Sequence, residues 1–271
     1  MVIGDYLAVN FIDRIFSNPV GYTGFENLMA LYGYSLQVYC DFSGYTDIAI
    51  GIALLLGFRL PKNFNSPYKA DNVGNFWKRW HISLSSWLKD YLYFPLGGNR
   101  KGKFRTNVNL MITMLLGGLW HGASWQFVIW GGLNGVGLIV YKYWKRISPY
   151  ENSTHWLAHF WKVFITFNFI TFTRIWFRSE SMEGANQLMH QIWNNFNFKL
   201  IPEIVVSFKA VFLIMLFGYI MHWLPTGFKS IYRDWFINTP VFVKAVITCL
   251  AIFIIYQFWS AKLQPFIYFQ F

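Results

Sequence analysis

The stretch GGLWHGASW, Gly117 to Trp125, lies in the longest run of the chain without a charged residue. This run extends from Thr106 to Tyr141, and His121 is its one side chain that titrates readily near neutral pH. As a single helix, its 36 residues would measure about 54 Å, whereas the hydrocarbon core of a bilayer is about 30 Å thick. The run is therefore predicted to fold back on itself with His121 near the turn. The glycines that allow close backbone approach at this turn are Gly117, Gly118 and Gly122.

The composition of the whole chain is typical of a membrane protein. Of its 271 residues, 55% are hydrophobic and only 13% are charged, about half the charged fraction of a soluble domain. Five segments are each long enough to cross a hydrocarbon core as a helix, which takes roughly 20 residues. They are Leu28–Phe58, Thr106–Tyr141, Trp156–Phe177, Ile204–Leu224 and Val241–Ala261. We therefore predict an all-α, polytopic integral membrane protein with a single membrane domain over residues 1–271.

The net charge of +11 comes from basic residues in the loops between these segments. The loop residues are Lys62, Lys69, Arg100, Lys101, Lys103, Arg105, Lys142, Lys145 and Arg146. Short loops rich in Lys and Arg normally stay cytoplasmic and meet anionic lipid, so we expect a lipid partner and no nucleic acid. The two cysteines, Cys40 and Cys249, exclude a disulfide framework and a cysteine-rich metal site. We expect no metal and no tightly bound cofactor.

An amphipathic segment, FWKRWHISLSSWLKDYLYFPLGG, occupies Phe76–Gly98. Its apolar residues recur at spacings of three and four, which predicts one continuous helix lying at the interface or re-entering among other helices. Pro95 ends the helix. The residues of the apolar stripe are Trp77, Trp80, His81, Leu84, Trp87, Leu88 and Tyr91.

Ionisable side chains also occur inside the apolar segments. A carboxylate facing lipid costs at least about 2.5 kcal/mol, so Asp41 and Asp47 are expected to face protein or a water-filled cavity. Arg174 and Arg178 lie one helical turn apart at the end of a segment, where we expect them to anchor the helix at the interface. The alternative for this pair is contact with an anionic group. No role is assigned to His155, His159, His190 or His222.

A buried imidazole tends to stay neutral, and the neutral ring can accept a proton. Such a ring can remove the proton of a hydroxyl group while the oxygen attacks an activated acyl carbon. Acyl transfer from a thioester to an alcohol further needs a donor to the developing oxyanion and exclusion of water. His121, with a second histidine on a neighbouring helix, is suited to this chemistry.

Three long stretches resemble the membrane-bound O-acyltransferase (MBOAT) family, and within it the bacterial alginate O-acetyltransferase branch. They are QVYCDFSGYTDIAIGIALLLGFRLPKNFNSPY, NFWKRWHISLSSWLKDYLYFPLGGNRKGK and LGGLWHGASWQFVIWGGLNG, and the final PFIYFQF is also similar. The resemblance implies that His121 is the catalytic histidine and His81 the second characteristic histidine. It places Asp41 in a DFSGY-type motif. Asp41, Trp120 and Trp125 are our candidates for substrate contact.

The resemblance also implies an activity and a location. The fold would be a helical bundle with a central tunnel, multi-pass in the cell inner membrane. The enzyme would move an acetyl group from acetyl-CoA or another cytoplasmic thioester to an extracytoplasmic polysaccharide hydroxyl, as in alginate biosynthesis. A periplasmic acetyltransferase would be its partner. We expect the chain to correspond to the C-terminal part of family proteins.

Two other interpretations remain open. One is a transporter or channel whose polar path is lined by Asp41, Asp47 and His121, although we find no internal repeat of the kind that transporters show. The other is a truncated, inactive membrane scaffold.

Overall fold

The computed structural model describes residues 2–257, which form thirteen α-helices. The longer helices are α3 (Gly24–Leu55), α6 (Gly102–His121), α7 (Trp125–Ile147), α8 (Trp156–Arg178), α9 (Met182–Asn194), α11 (Lys209–Trp223), α12 (Thr226–Asn238) and α13 (Val241–Gln257). The shorter helices are α1 (Val2–Leu7), α2 (Asp13–Ser17), α4 (Val73–Trp77), α5 (Ile82–Leu88) and α10 (Ile201–Ser207). The all-α prediction is confirmed for these residues. The terminal PFIYFQF and the end of the predicted segment at Ala261 lie outside them.

Helix α3 organises the core of the fold. Its first turn is fixed by a capping box, in which the Glu26 amide donates to the Thr23 hydroxyl at 3.3 Å and the Glu26 carboxylate accepts from the Thr23 amide at 2.8 Å. The N-terminal half of α3 is buried against α1, α8 and α9. The C-terminal half is largely exposed, with Leu55 88% accessible. Asp47 lies on this exposed part. We expected it to face protein or a water-filled cavity, but the described residues do not bury it.

The helices α6 and α7 form the predicted antiparallel hairpin, with the turn directly after His121. The two backbones approach most closely at Gly118 and Gly131, whose Cα atoms face each other across the hairpin. A Cβ atom on Gly118 would lie 3.1 Å from the carbonyl carbon of Phe127 and closer still to its oxygen. The glycines therefore set the separation of the two helices that carry His121 and Trp130.

The amphipathic segment is not one continuous helix, contrary to the prediction. Helix α4 ends at Trp77, and α5 begins after His81 and continues as a π-helical turn over Lys89–Tyr93. The break arises because backbone groups in this part of the chain bond to the preceding loop: the Asn65 amide donates to the Arg79 carbonyl and the Ile82 amide donates to the Asn63 carbonyl, each at 2.9 Å.

Helix α5 and its π-helical turn run alongside α6 in the opposite direction. Leu88 lies against Gly117, and the Asn109 side chain donates to the Gly98 carbonyl at 3.0 Å. Helix α5 therefore packs against α6, and its placement at the interface or as a re-entrant segment stays a prediction. Trp87 and Tyr91 of the predicted apolar stripe face outward and are 54% and 70% exposed.

Fewer helices than predicted meet the length and hydropathy expected of a single membrane span. Among the described residues, α3 is long and apolar enough to cross a membrane. Only 11% of its most apolar 18-residue stretch is buried, whereas the core helix of a soluble protein is mostly buried. A second candidate is the pair Phe198–Ser207 and Lys209–Trp223, which is bent by 89°. The predicted segment Ile204–Leu224 falls within this pair, and the bend lies at Phe208, between α10 and α11.

Candidate active site

His121 is the last residue of α6, and aromatic rings surround its imidazole. The ring centroid of His121 lies 4.9 Å from Trp120, 5.2 Å from Trp130 and 5.1 Å from Phe177. These rings come from α6, α7 and α8, so three helices hold the imidazole in place. His121 is half-buried.

His81 lies at the break in the amphipathic segment and has a left-handed backbone, with φ of 44° and ψ of 56°. Non-glycine residues adopt this conformation at a cost, and such strain is often found at functional sites. The Nδ1 atom of His81 accepts from the Leu84 amide at 3.4 Å, which caps α5. In the neutral ring this leaves the proton on Nε2, which makes that nitrogen a hydrogen-bond donor.

The structure brings the two predicted histidines to the same place. The Trp120 ring contacts both, with centroids 6.3 Å from His81 and 4.9 Å from His121. His81 also packs edge-on against Phe42 of α3 at 4.7 Å. The two histidines are 40 positions apart in the sequence. The break before α5 and the turn between α6 and α7 bring them close together in the fold.

A small cavity of about 30 Å³ lies beside His121. By volume it has room for about two water molecules. Its apolar walls come from α3, α4, α7 and α8, and polar side chains of Asn134, Thr173 and Arg174 also line it.

A larger cavity of about 270 Å³ begins at His121 and follows α6 toward its N-terminus; we call it the groove. Along α6 the groove is lined from Leu110 to His121, a distance of about 16 Å at helical rise. Helix α5 forms the opposite wall, and the exposed lysines Lys78 and Lys89 also line the groove. The lining is otherwise mostly apolar. Three side chains, Trp77, His121 and Trp130, line both cavities, so His121 lies where they meet.

The remaining predicted site residues are placed differently from the histidines. Asp41 is buried in α3, where its carboxylate faces Gly4 of α1, and it lines neither cavity. Trp125 is 74% exposed and also lies outside both cavities. Substrate contact by Asp41 or Trp125 stays a prediction. Within residues 2–257, no three His, Cys, Asp or Glu side chains are grouped as a metal site requires.

Two buried polar residues were not recognised from the sequence. Arg174 is only 5% exposed, so the prediction that it anchors at the interface is wrong. Arg178 instead pairs with Asp13 at 2.7 Å. His222, to which we assigned no role, is 3% exposed and packs between the rings of Tyr39 and Tyr68, at 4.6 and 5.1 Å. The sequence did contain one indication that Arg174 is buried: it lies one helical turn deeper in the apolar segment than Arg178.

Comparison with known proteins gives one matching family model and several relatives. The model of MBOAT, the membrane-bound O-acyltransferase family, matches residues 13–181. A peptidoglycan O-acetyltransferase of Helicobacter pylori is 35% identical over all of this chain and 54% of its own length. A probable alginate O-acetylase AlgI of Pseudomonas putida is 36% identical over 99% of this chain and 58% of its own length. A teichoic acid D-alanyltransferase of Bacillus subtilis is 33% identical over 54% and 39%, respectively. The chain spans about half the length of the first two relatives.

Proposed function

The chain belongs to the membrane-bound O-acyltransferase family, and on that basis we propose that it transfers an acetyl group from a thioester to a polysaccharide hydroxyl. His121 is the general base of this reaction. Two of the relatives are named for O-acetyl transfer, one to peptidoglycan and one to alginate, which favours acetyl as the group and a polysaccharide as the acceptor.

The position of His121 at the junction of the groove and the small cavity carries this proposal. A base in acyl transfer has to reach both the acyl carbon and the attacking hydroxyl group. The groove fits the donor, because a long apolar slot accepts the extended arm of an acyl thioester. Lys78 and Lys89 along the groove would attract the phosphates of coenzyme A or of a carrier-bound donor. The thioester carbon would then lie at the inner end of the groove, next to His121.

The reaction at this junction is a simple acyl exchange. A ring nitrogen of His121 takes the proton of the acceptor hydroxyl while the hydroxyl oxygen forms a bond to the acyl carbon. The carbonyl π electrons move onto the carbonyl oxygen. When they return, the carbon–sulfur bond breaks, and the thiolate takes the proton from His121. The products are the O-acyl ester and the free thiol. The aromatic side chains around His121 limit the entry of water, which would otherwise hydrolyse the thioester.

His81 assists as a positioning residue. Its Nδ1 atom is engaged at the start of α5, so its Nε2–H donor is directed by a backbone that the helix fixes. That N–H group would orient the acyl thioester beside His121.

The two ends of α6 suggest how the substrates arrive. The basic residues around Lys103 lie about 27 Å from His121 at helical rise, close to the thickness of a hydrocarbon core. With the basic end in the cytoplasm, the donor enters along the groove and the acceptor reaches His121 from the other side. This arrangement requires a multi-pass protein of the inner membrane and would suit a periplasmic partner acetyltransferase.

The proposal is tested by measuring acetyl transfer from radiolabelled acetyl-CoA to polysaccharide in vesicles that contain the chain. Replacing the base, in His121→Ala, should lower the rate by about 10²–10⁴-fold while the protein still inserts into the membrane. His159→Ala removes an exposed histidine and is the matched control, expected to keep the wild-type rate. Equal rates for His121→Ala and the wild type would refute the role of His121. Solute flux without an acyl donor would favour a transporter.

A further inference from the structure

Arg174 is a buried cation that the reaction described above does not use. Its side chain lines the small cavity beside His121. The guanidinium carbon lies 4.6 Å from the ring centroid of Trp80 and 5.8 Å from that of Tyr68, so two aromatic faces hold the group. Nη2 of Arg174 donates to the Tyr68 hydroxyl oxygen at 3.1 Å. This packing fixes the direction of the remaining N–H groups.

No carboxylate balances this charge within residues 2–257. The ion pairs there join Lys89 to Asp90, Arg178 to Asp13 and Arg233 to Asp234. The Nε atom of Arg174 is fully buried and has no hydrogen-bond acceptor. An unbalanced buried cation with an unused donor is costly, because buried charges are stable only when they are paired and hydrogen-bonded.

Two other residues that line the same cavity each carry a buried polar atom that has no hydrogen-bond partner among residues 2–257. One is Nε1 of Trp77, a donor, and the other is Oδ1 of Asn134, an acceptor. The orientation of the Asn134 amide is set by its Nδ2 atom, which donates to the Trp130 carbonyl at 2.9 Å. The Thr173 hydroxyl donates to the Ile170 carbonyl at 2.9 Å and therefore accepts from Nδ2. The residues that line the cavity thus carry two hydrogen-bond donors without an acceptor among residues 2–257, Nε of Arg174 and Nε1 of Trp77.

We propose that Arg174, together with the indole N–H of Trp77, binds the carbonyl oxygen of the acyl group and stabilises its negative charge during transfer. This inference rests on the proposed function of His121. The oxygen gains the carbonyl π electrons when the hydroxyl oxygen attacks and returns them when the thiolate leaves. Donors held rigidly by surrounding structure stabilise such an oxyanion without having to reorganise. The size of the cavity, about 30 Å³, suits an acetyl group and not a long acyl chain.

The first test compares kcat and KM for acetyl-CoA among arginine variants in vesicles. Loss of the guanidinium in Arg174→Met should lower kcat by about 10²–10³-fold with little change in KM, because the interaction is made mainly in the transition state. Arg174→Ala should recover activity when guanidinium ion is added, whereas a structural defect would not respond to it. Trp77→Phe keeps an aromatic ring but loses the donor, so kcat should fall by about tenfold or more.

Arg178→Met is the matched control, because it removes an arginine from the same helix one turn away. Arg178 contacts Asp13 and the rings of Phe16 and Tyr34, and it lines neither cavity. The folded Arg178→Met protein should keep a kcat near that of the wild type. If folded Arg174→Met also keeps that kcat, Arg174 has only a structural role and the inference is overturned.

A binding measurement tests the role of Arg174 independently of catalytic turnover. A donor analogue with a methylphosphonate group in place of the acetyl group carries a negatively charged oxygen where the oxyanion would form, and it cannot transfer an acyl group. Its affinity, followed by tryptophan fluorescence, should fall about tenfold or more in Arg174→Met and stay unchanged in Arg178→Met. Equal affinities for wild type and Arg174→Met would contradict the inference. Unchanged transfer by His121→Ala would instead refute the proposed function, so the two failures are distinguishable.

Discussion

The close contact between α6 and α7 leads to a quantitative prediction for Gly118→Ala. The new methyl group would lie well inside van der Waals distance of the Phe127 carbonyl oxygen and 3.3 Å from the Cα atom of Gly131. Both neighbours are backbone atoms, which cannot rotate away as a side chain can. Carbon and carbonyl oxygen normally remain about 3.3–3.6 Å apart, so the helices would have to separate by about 1 Å.

The cost of that separation can be compared with a matched substitution on the same hairpin. Overpacking lowers the free energy of unfolding by about 1–3 kcal/mol, whereas replacing a helical glycine by alanine raises it by about 1 kcal/mol. Gly132→Ala gains the same helix propensity, but its nearest neighbour is a flexible atom, Cδ2 of Leu115, at 3.5 Å. The free energy of unfolding should therefore be about 1–3 kcal/mol lower in Gly118→Ala than in Gly132→Ala.

The same displacement should affect catalysis, because His121 follows Gly118 by less than one helical turn. A misplacement of about 1 Å can lower a catalytic rate by about 10²-fold. Stability is measured by unfolding in mixed detergent micelles with increasing sodium dodecyl sulfate, and transfer is measured in vesicles. Equal stability and equal transfer rates for Gly118→Ala and Gly132→Ala would refute the argument that this contact positions His121.

Three further predictions concern side chains around the site. Removing the ion pair in Asp13→Asn should lower the free energy of unfolding by about 1–3 kcal/mol, since the Arg178 contact is partly buried; an unchanged unfolding curve would contradict this. His81→Ala loses the cap of α5 and should be about 1 kcal/mol less stable than His81→Asn, which can keep the cap and tolerates the left-handed backbone; equal melting temperatures would argue against the cap. Phe177→Ala enlarges the small cavity, so the preference for acetyl-CoA over butyryl-CoA should fall by about tenfold or more; an unchanged ratio of kcat/KM would show that this cavity does not hold the acyl group.

The sequence was most informative where length and charge limited the possible structures. The uncharged run through His121 was too long for one span, so the turn near this residue followed from geometry alone. Its glycines then predicted the close contact of α6 with α7. The resemblance to the O-acyltransferase family named His81 and His121 together, and the structure places both beside Trp120.

Other features depended on contacts that periodicity cannot reveal. The amphipathic segment has the spacing of one helix, but hydrogen bonds from the loop residues Asn63 and Asn65 break it before α5. Arg174 and Arg178 look alike in the sequence, yet in the part of the chain that the structure describes only Arg178 pairs with a carboxylate. Trp125 is close to His121 along the chain but points outward from the start of α7. These outcomes are set by tertiary packing, which local sequence does not encode.

The central claim is that the imidazole at position 121 accepts the proton of the attacking hydroxyl group. The most direct test is chemical rescue, in which acetyl transfer by His121→Ala is measured in vesicles with a series of added imidazoles of different basicity. We predict a rate about 10²–10⁴-fold below the wild type without imidazole and a partial recovery that increases with the basicity of the added ring. A wild-type rate for His121→Ala in the absence of imidazole would contradict the claim.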